Sequence, residues 1–169
     1  MRKLVFIALL LPAGLSAQSL TERAEKDDLV FMKDEEPAMR RAFQVARETL
    51  DDFLKLASEP RPGQALFALK VAIADGKKTE YFWVNKFEAK GGGKFEGTIS
   101  NEPRMVKTVA LGQRYTLSRA QIVDWTYADK TERPLVGNFT LCALLTKESK
   151  EEAEATKRRF NLDCSKVTG

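Results

Sequence analysis

Residues 66–100 read LFALKVAIADGKKTEYFWVNKFEAKGGGKFEGTIS, and the period of this stretch decides the fold. Phe67, Leu69, Val71 and Ile73 alternate with Leu66, Ala68, Lys70 and Ala72, the two-residue period of a β-strand with one apolar face. Asp75-Gly76 is a hairpin turn signal. The return run, Thr79 to Phe87, carries Tyr81, Phe82, Trp83 and Phe87, rings that pack well on a pleated surface. Gly91, Gly92 and Gly93 mark a second loop tip, and Phe95, Gly97 and Ile99 then align on a third strand ending at Ser100.

Upstream, the period changes to that of a helix. Met39, Ala42, Phe43, Ala46, Leu50, Phe53, Leu54 and Ala57 recur at three- and four-residue steps, which predicts one long amphipathic helix starting at Pro37. Asp34, Glu35 and Glu36 place negative charge at its N-terminus, and Pro60, Pro62 and Gly63 end it. Downstream of a break at Asn101-Glu102-Pro103, short strands are expected over Val106–Ala110 and Arg114–Leu117, turned by Gly112. A helical turn over 118–121 and a strand from Ile122 to Tyr127 follow, with Ile122, Asp124 and Thr126 on one face and Val123, Trp125 and Tyr127 on the other. Gly137-Asn138 opens a helix to Leu145, and Ser149 with Glu152 forms a capping box for a last helix to Phe160. The expected fold class is α+β: a long N-terminal amphipathic helix packed on a curved, mostly antiparallel sheet of about five strands, with C-terminal helices. The helix is expected to cover Phe67, Leu69, Val71 and Ile73.

The N-terminus reports an address. Arg2 and Lys3 precede an apolar run from Leu4 to Leu11, then Pro12, Gly14 and the small pair Ser16-Ala17, the layout of a secretory signal peptide cleaved near Ala17. The chain therefore divides into a signal peptide (1–17), a loosely ordered lead-in (18–33) with an apolar knot at Leu29–Met32, a single domain (34–164) and a tail (165–169). No segment approaches the ~20 apolar residues of a membrane-spanning helix, and no Cys follows the apolar run to take a lipid, so no membrane anchor is expected. The product should be periplasmic or secreted. The formal charge is +4, and removing Arg2 and Lys3 with the leader leaves about +2, too little to argue for nucleic acid. An oxidising compartment favours joining Cys142 to Cys164; two unrelated thiols are the alternative.

The chain has no histidine. That excludes Ser-His and Cys-His nucleophile pairs, His-ligated zinc and the HExxH arrangement. No phosphate-binding glycine motif follows a strand, and the glycines at 91–93 lack the helix start a phosphate cradle needs. Neither a cofactor nor a metal is implied. Carboxylate chemistry remains available through Glu80, Glu96 and Asp124, although these also suit a solvent-facing hairpin and backbone hydrogen bonding at a strand end. If Phe82 and Val84 face the core, Tyr81 and Trp83 lie on the opposite face, where a binding patch or closure of the sheet into a partial barrel would cover them. Trp125 and Tyr127 are similarly paired.

Several segments together resemble a bacterial family, the YegJ-like domain of unknown function 2314. They are Ala46-Arg47-Glu48-Thr49-Leu50 with Phe53, Glu80-Tyr81-Phe82-Trp83-Val84, Gly97 to Pro103, Gly112-Gln113, Ile122-Val123-Asp124-Trp125 and Gly137-Asn138-Phe139-Thr140. The resemblance runs from about Met39 to Leu145. Where the family pattern often carries Arg, this chain has Cys142, a departure that favours a disulfide. The resemblance implies a bacterial source and no particular activity. Glu80, Trp83, Asn101, Asp124 and Trp125 are the candidate binding surface, for an unknown protein or envelope component, in a small exported binding or interaction protein. The alternative is a carboxylate-dependent hydrolase acting on a cell-envelope polymer.

Overall fold

In the computed structural model, residue 34 and residues 36–131 and 133–168 are described; the leader and the lead-in with its apolar knot lie outside them. Strand β1 (Gln64–Asp75) and strand β2 (Lys78–Gly91) form the hairpin that the period-two pattern announces, paired from Asp75↔Lys78 to Ala68↔Asn85. Strands β3 (Lys94–Ile99), β4 (Arg114–Ser118), β5 (Ile122–Asp129) and β6 (Arg133–Gly137) complete a six-stranded antiparallel sheet of order β4-β3-β2-β1-β5-β6. The sixth strand corrects the expected five. Its five residues, with a proline second, are too short to show an alternating pattern.

The connection from β4 to β5 shows that the sheet curls. A 3₁₀ turn of three residues, Arg119–Gln121, joins them, although β3, β2 and β1 lie between. Four strand spacings in a flat sheet amount to about 19 Å, more than the roughly 14 Å that the chain from Ser118 to Ile122 can reach. Gln121 ties the closure by donating from Nε2 to Tyr115 Oη (3.0 Å) and to Ala72 O (3.3 Å). Bulges add bend: the register slips beside Leu66 in β1 and beside Lys86 in β2, and both residues take left-handed backbone (φ 57° and 48°).

Register assigns the faces. Val84, Leu69 and Trp125 form one cross-strand row, with Phe82, Val71 and Ile122 beside it, all buried. Trp83, Lys70 and Asp124 form the row on the opposite face. A slip between Lys70 and Val71 moves Ile122 onto the Trp125 face, correcting the simple alternation expected along β5. Fully buried Phe53, Phe82, Leu50, Leu69, Ile99, Leu117 and Ile122 anchor the core. Each contributes roughly 1.5–3 kcal/mol of apolar burial before conformational entropy is charged against it.

The expected single long helix is two helices, α1 (Pro37–Glu48) and α2 (Leu50–Ser58), broken at Thr49. The cause is tertiary. Trp125 Nε1 donates to Ala46 O and to Thr49 Oγ1, both at 3.2 Å, and Ala46 O is the carbonyl that residue 50 would pair with in a continuous helix. Thr49 Oγ1 also bonds back to Val45 O at 2.7 Å. Beyond the break, Phe53 packs on Phe67 with ring centroids 5.9 Å apart, so α2 covers this end of the apolar face of β1.

The strand expected over Val106–Ala110 is absent. Its N–H groups converge on single carboxylates instead of alternating along a ladder: Glu80 takes those of Arg104, Met105 and Val106, and Asp75 takes that of Lys107. Helices α3 (Phe139–Leu145), α4 (Lys150–Phe160) and α5 (Ser165–Thr168) follow the sheet. Ser149 Oγ accepts from Glu152 N–H, so the N-cap half of the expected capping box forms, while the Glu152 carboxylate meets the Ser149 hydroxyl instead of its backbone N–H. Cys142 and Cys164 are joined, tying α3 to the start of α5, where Val167 is buried. Among the described residues no helix is long and apolar enough to cross a membrane.

Candidate functional site

Asp124 is fully buried on β5, and all its hydrogen-bond partners are donors. Its carboxylate accepts from Trp125 N–H (2.8 Å), Phe139 N–H (3.1 Å), Thr140 N–H (2.7 Å) and Thr140 Oγ1 (2.7 Å). Asn138, the residue before α3, has left-handed backbone and makes no side-chain cap, so Asp124 caps this helix from a different strand. Gly137, at φ +78°, makes the approach possible, because a Cβ there would lie 2.4 Å from Trp125 O and 2.5 Å from its ring.

Lys70, directly opposite Asp124 on β1, donates from Nζ to Thr140 Oγ1 at 2.9 Å and lies 5.2 Å from the centre of the Trp83 ring. Burial pushes the Lys70 amine below its ordinary value, and the nearby Asp124 carboxylate pulls it back up. Burial likewise raises the Asp124 carboxyl, while Lys70, the Thr140 hydroxyl and the backbone N–H groups pull it down. Three backbone N–H groups and a hydroxyl converging on Asp124 are the partners an ionised carboxylate accepts.

The remaining candidates have separate partners. Glu80 is buried, and its carboxylate holds the 104–106 loop through four contacts with three N–H groups, between 2.8 and 3.1 Å. Asn101 Oδ1 accepts from Trp83 N–H at 2.8 Å and its Nδ2 donates to Tyr81 O at 3.4 Å, completing the edge of β2 beyond the end of β3. Trp83 is half-buried on the Lys70 face. Trp125 is on the other face, 7% exposed, stacked on Phe53 with centroids 4.7 Å apart. The five residues therefore do not converge: Trp83 and Asp124 flank Lys70, Glu80 and Asn101 fasten the chain at one edge, and Trp125 belongs to the core.

Trp125 does reach a cavity. A cleft of about 360 Å³ opens between α2, the β5–β6 pair and the start of α5. Phe53, Trp125, Tyr127 and Phe139 make its floor, with Phe139 edge-on to Trp125 at 5.2 Å, and Leu56, Leu135 and Val136 add aliphatic wall. Thr49, Asp52, Arg61, Asp163 and Lys166 give it a polar rim. A concave apolar surface with a few polar groups is the usual form of a small-ligand site. Sequence reasoning reached Trp125 and Tyr127 but not the facing residues. The short apolar pair Leu135-Val136 is the only local sign of the wall that β6 builds. Among the described residues, no group of three or more metal-ligating side chains gathers.

The family model described as "Uncharacterized protein conserved in bacteria (DUF2314)" matches residues 36–164. "Uncharacterized protein YegJ" of Escherichia coli (strain K12) is 31% identical over 134 residues, covering 79% of this chain and 84% of that protein. No solved structure matches the chain.

Proposed function

We propose, for a chain that belongs to the DUF2314 family of bacterial proteins, the role of an exported small binding protein with no catalytic machinery of its own. The observation that carries this reading is the aromatic-floored, polar-rimmed cleft around Trp125. The signal-peptide layout of residues 1–17, with cleavage near Ala17, supports export to the periplasm or beyond, and the Cys142–Cys164 bridge is consistent with an oxidising compartment. The partner is an envelope component or protein rather than nucleic acid. Of the residues first considered for the binding surface, Trp125 contributes to the cleft floor. Asp124 holds the start of α3 beside it, Glu80 and Asn101 hold the chain at a separate edge of the sheet, and Trp83 keeps a place at the Lys70 face.

The rival reading, a carboxylate-dependent hydrolase acting on a cell-envelope polymer, has less support. Such an enzyme needs two carboxylates facing one reacting bond across a gap of roughly 5–10 Å. Glu80 and Asp124 are both buried, and each is surrounded by its own backbone donors, those of Glu80 in the 104–106 loop and those of Asp124 on β5 and the first turn of α3. Filling the cleft tests the binding role. Leu56→Trp and Val136→Trp variants of the leaderless protein should fold yet release whatever small molecule the wild type retains when purified from its own envelope fraction, read by native mass spectrometry. Identical adducts on wild type and filled variants would overturn the reading.

A further inference from the structure

The rim of the cleft carries an imbalance of charge that points to a class of ligand. Asp163 is engaged within its own turn, its Oδ1 accepting from Ser165 N–H at 3.1 Å and Ser165 Oγ at 2.7 Å. Asp52 lies in the first turn of α2, where a negative charge meets the positive end of the helix dipole. The two rim cations have no such internal partner. Arg61 uses its backbone N–H on Gln64, and Lys166 offers its carbonyl to Arg41 Nε at 2.9 Å, but neither side chain meets a carboxylate among the described residues. Arg41 thus adds a third cation beside α5. With Asp163 engaged by Ser165, two rim cations stand against one carboxylate, Asp52, that makes no side-chain hydrogen bond among the described residues.

Size narrows the class further. About 360 Å³ lies near the low end of small-molecule pockets. A protein partner of standard affinity needs roughly 800 Å² of surface on each side, far more than this floor provides. We propose that the cleft takes a small apolar carboxylate, its ring or branched hydrocarbon seated against Tyr127, Leu56 and Leu135 at the edge of Trp125 and its carboxylate met at the rim by Arg61 and Lys166. This rests on the cleft being the binding site. The apolar part supplies the affinity and the two cations choose the charge, since exposed ion pairs contribute selectivity more than strength.

Three isosteric probes separate the inference from its premise: 3-phenylpropionate, 3-phenylpropionamide and 3-phenylpropylamine. Each is titrated into the leaderless, disulfide-bonded protein at low salt and followed by the Trp125 indole N–H resonance, assigned by the signal that survives in Trp83→Phe. The carboxylate should bind about five-fold more tightly than the amide, as two exposed ion pairs allow, and the amine least tightly. In an Arg61→Ala, Lys166→Ala double variant the preference for the carboxylate over the amide should disappear. If amide or amine binds as well as the carboxylate, the proposed ligand class is wrong and the cleft remains a site. If none of the three moves the Trp125 resonance, the class and the site fall together.

Discussion

Removing the Asp124 carboxylate should unfold the junction between sheet and helices. In Asp124→Ala, the N–H groups of Trp125, Phe139 and Thr140 lose a shared acceptor, Thr140 Oγ1 loses its own, and Lys70 loses the counter-charge that offsets its burial. Breaking a buried pair from one side costs about 3–5 kcal/mol. The orphaned donors push toward the upper end, at roughly 1–3 kcal/mol for each one left dry. A loss of about 4 kcal/mol is expected from urea unfolding. At about 3–4 °C per kcal/mol for a domain of this size, it should lower Tm by about 15 °C. Hydrogen exchange localises the effect: Phe139 and Thr140 amides should lose protection first, while those of the β1–β2 ladder keep theirs. A loss below about 1 kcal/mol, with Phe139 and Thr140 still protected, would refute the assignment of Asp124 as the cap of α3.

Gly137→Ala should cost about 2–4 kcal/mol in urea unfolding, since it adds left-handed strain to a clash with the Trp125 backbone and ring; a neutral outcome would mean that this approach is not tight. Cys164→Ser opens a bridge between residues 22 positions apart and should lower stability by about 3 kcal/mol on the chain-entropy relation, measured against the oxidised wild type. The pH dependence of Lys70 has a definite sign. Its folded value lies below its ordinary 10.5, so between the two the native state binds fewer protons than the unfolded chain, and stability rises with pH up to about 10.5. Asp124→Asn removes the attraction that holds the amine up, so the gain in urea midpoint from pH 7 to pH 9.5 should be larger in that variant than in wild type; an equal or smaller gain contradicts the coupling. Glu80→Gln should leave the β1–β2 amides protected and raise exchange at Arg104, Met105 and Val106, and unchanged rates there would refute the loop tie.

Much of the sheet is legible because its signals are local. The alternation of Phe67, Leu69, Val71 and Ile73, the turn at Asp75-Gly76 and the glycines at 91–93 each specify backbone within a few residues. The N-cap at Ser149 is local too. What escapes such reading depends on partners distant in the chain. The helical pattern runs unbroken through Thr49, and only the indole of Trp125, 76 residues away, divides it. The run Val106–Ala110 has strand-like composition, but Glu80 and Asp75 gather its donors into a loop. The same reason explains the candidate site. Glu80, Asn101 and Asp124 stand out as polar residues in apolar surroundings, and each proves to serve backbone groups that no ladder satisfies. The cleft draws its walls from α2, β6 and α5, three segments whose proximity no spacing in the sequence encodes.

The central claim is that this fold holds its buried polar residues as ties and presents its recognition surface at the aromatic cleft. A two-dimensional amide map of the leaderless protein, recorded with and without 3-phenylpropionate, tests it most directly. The claim predicts that shifts gather at Thr49, at Leu135 to Gly137 and at Lys166, with Trp83 and Asn101 unmoved. Shifts centred on Trp83 and Asn101, or none anywhere, would contradict it.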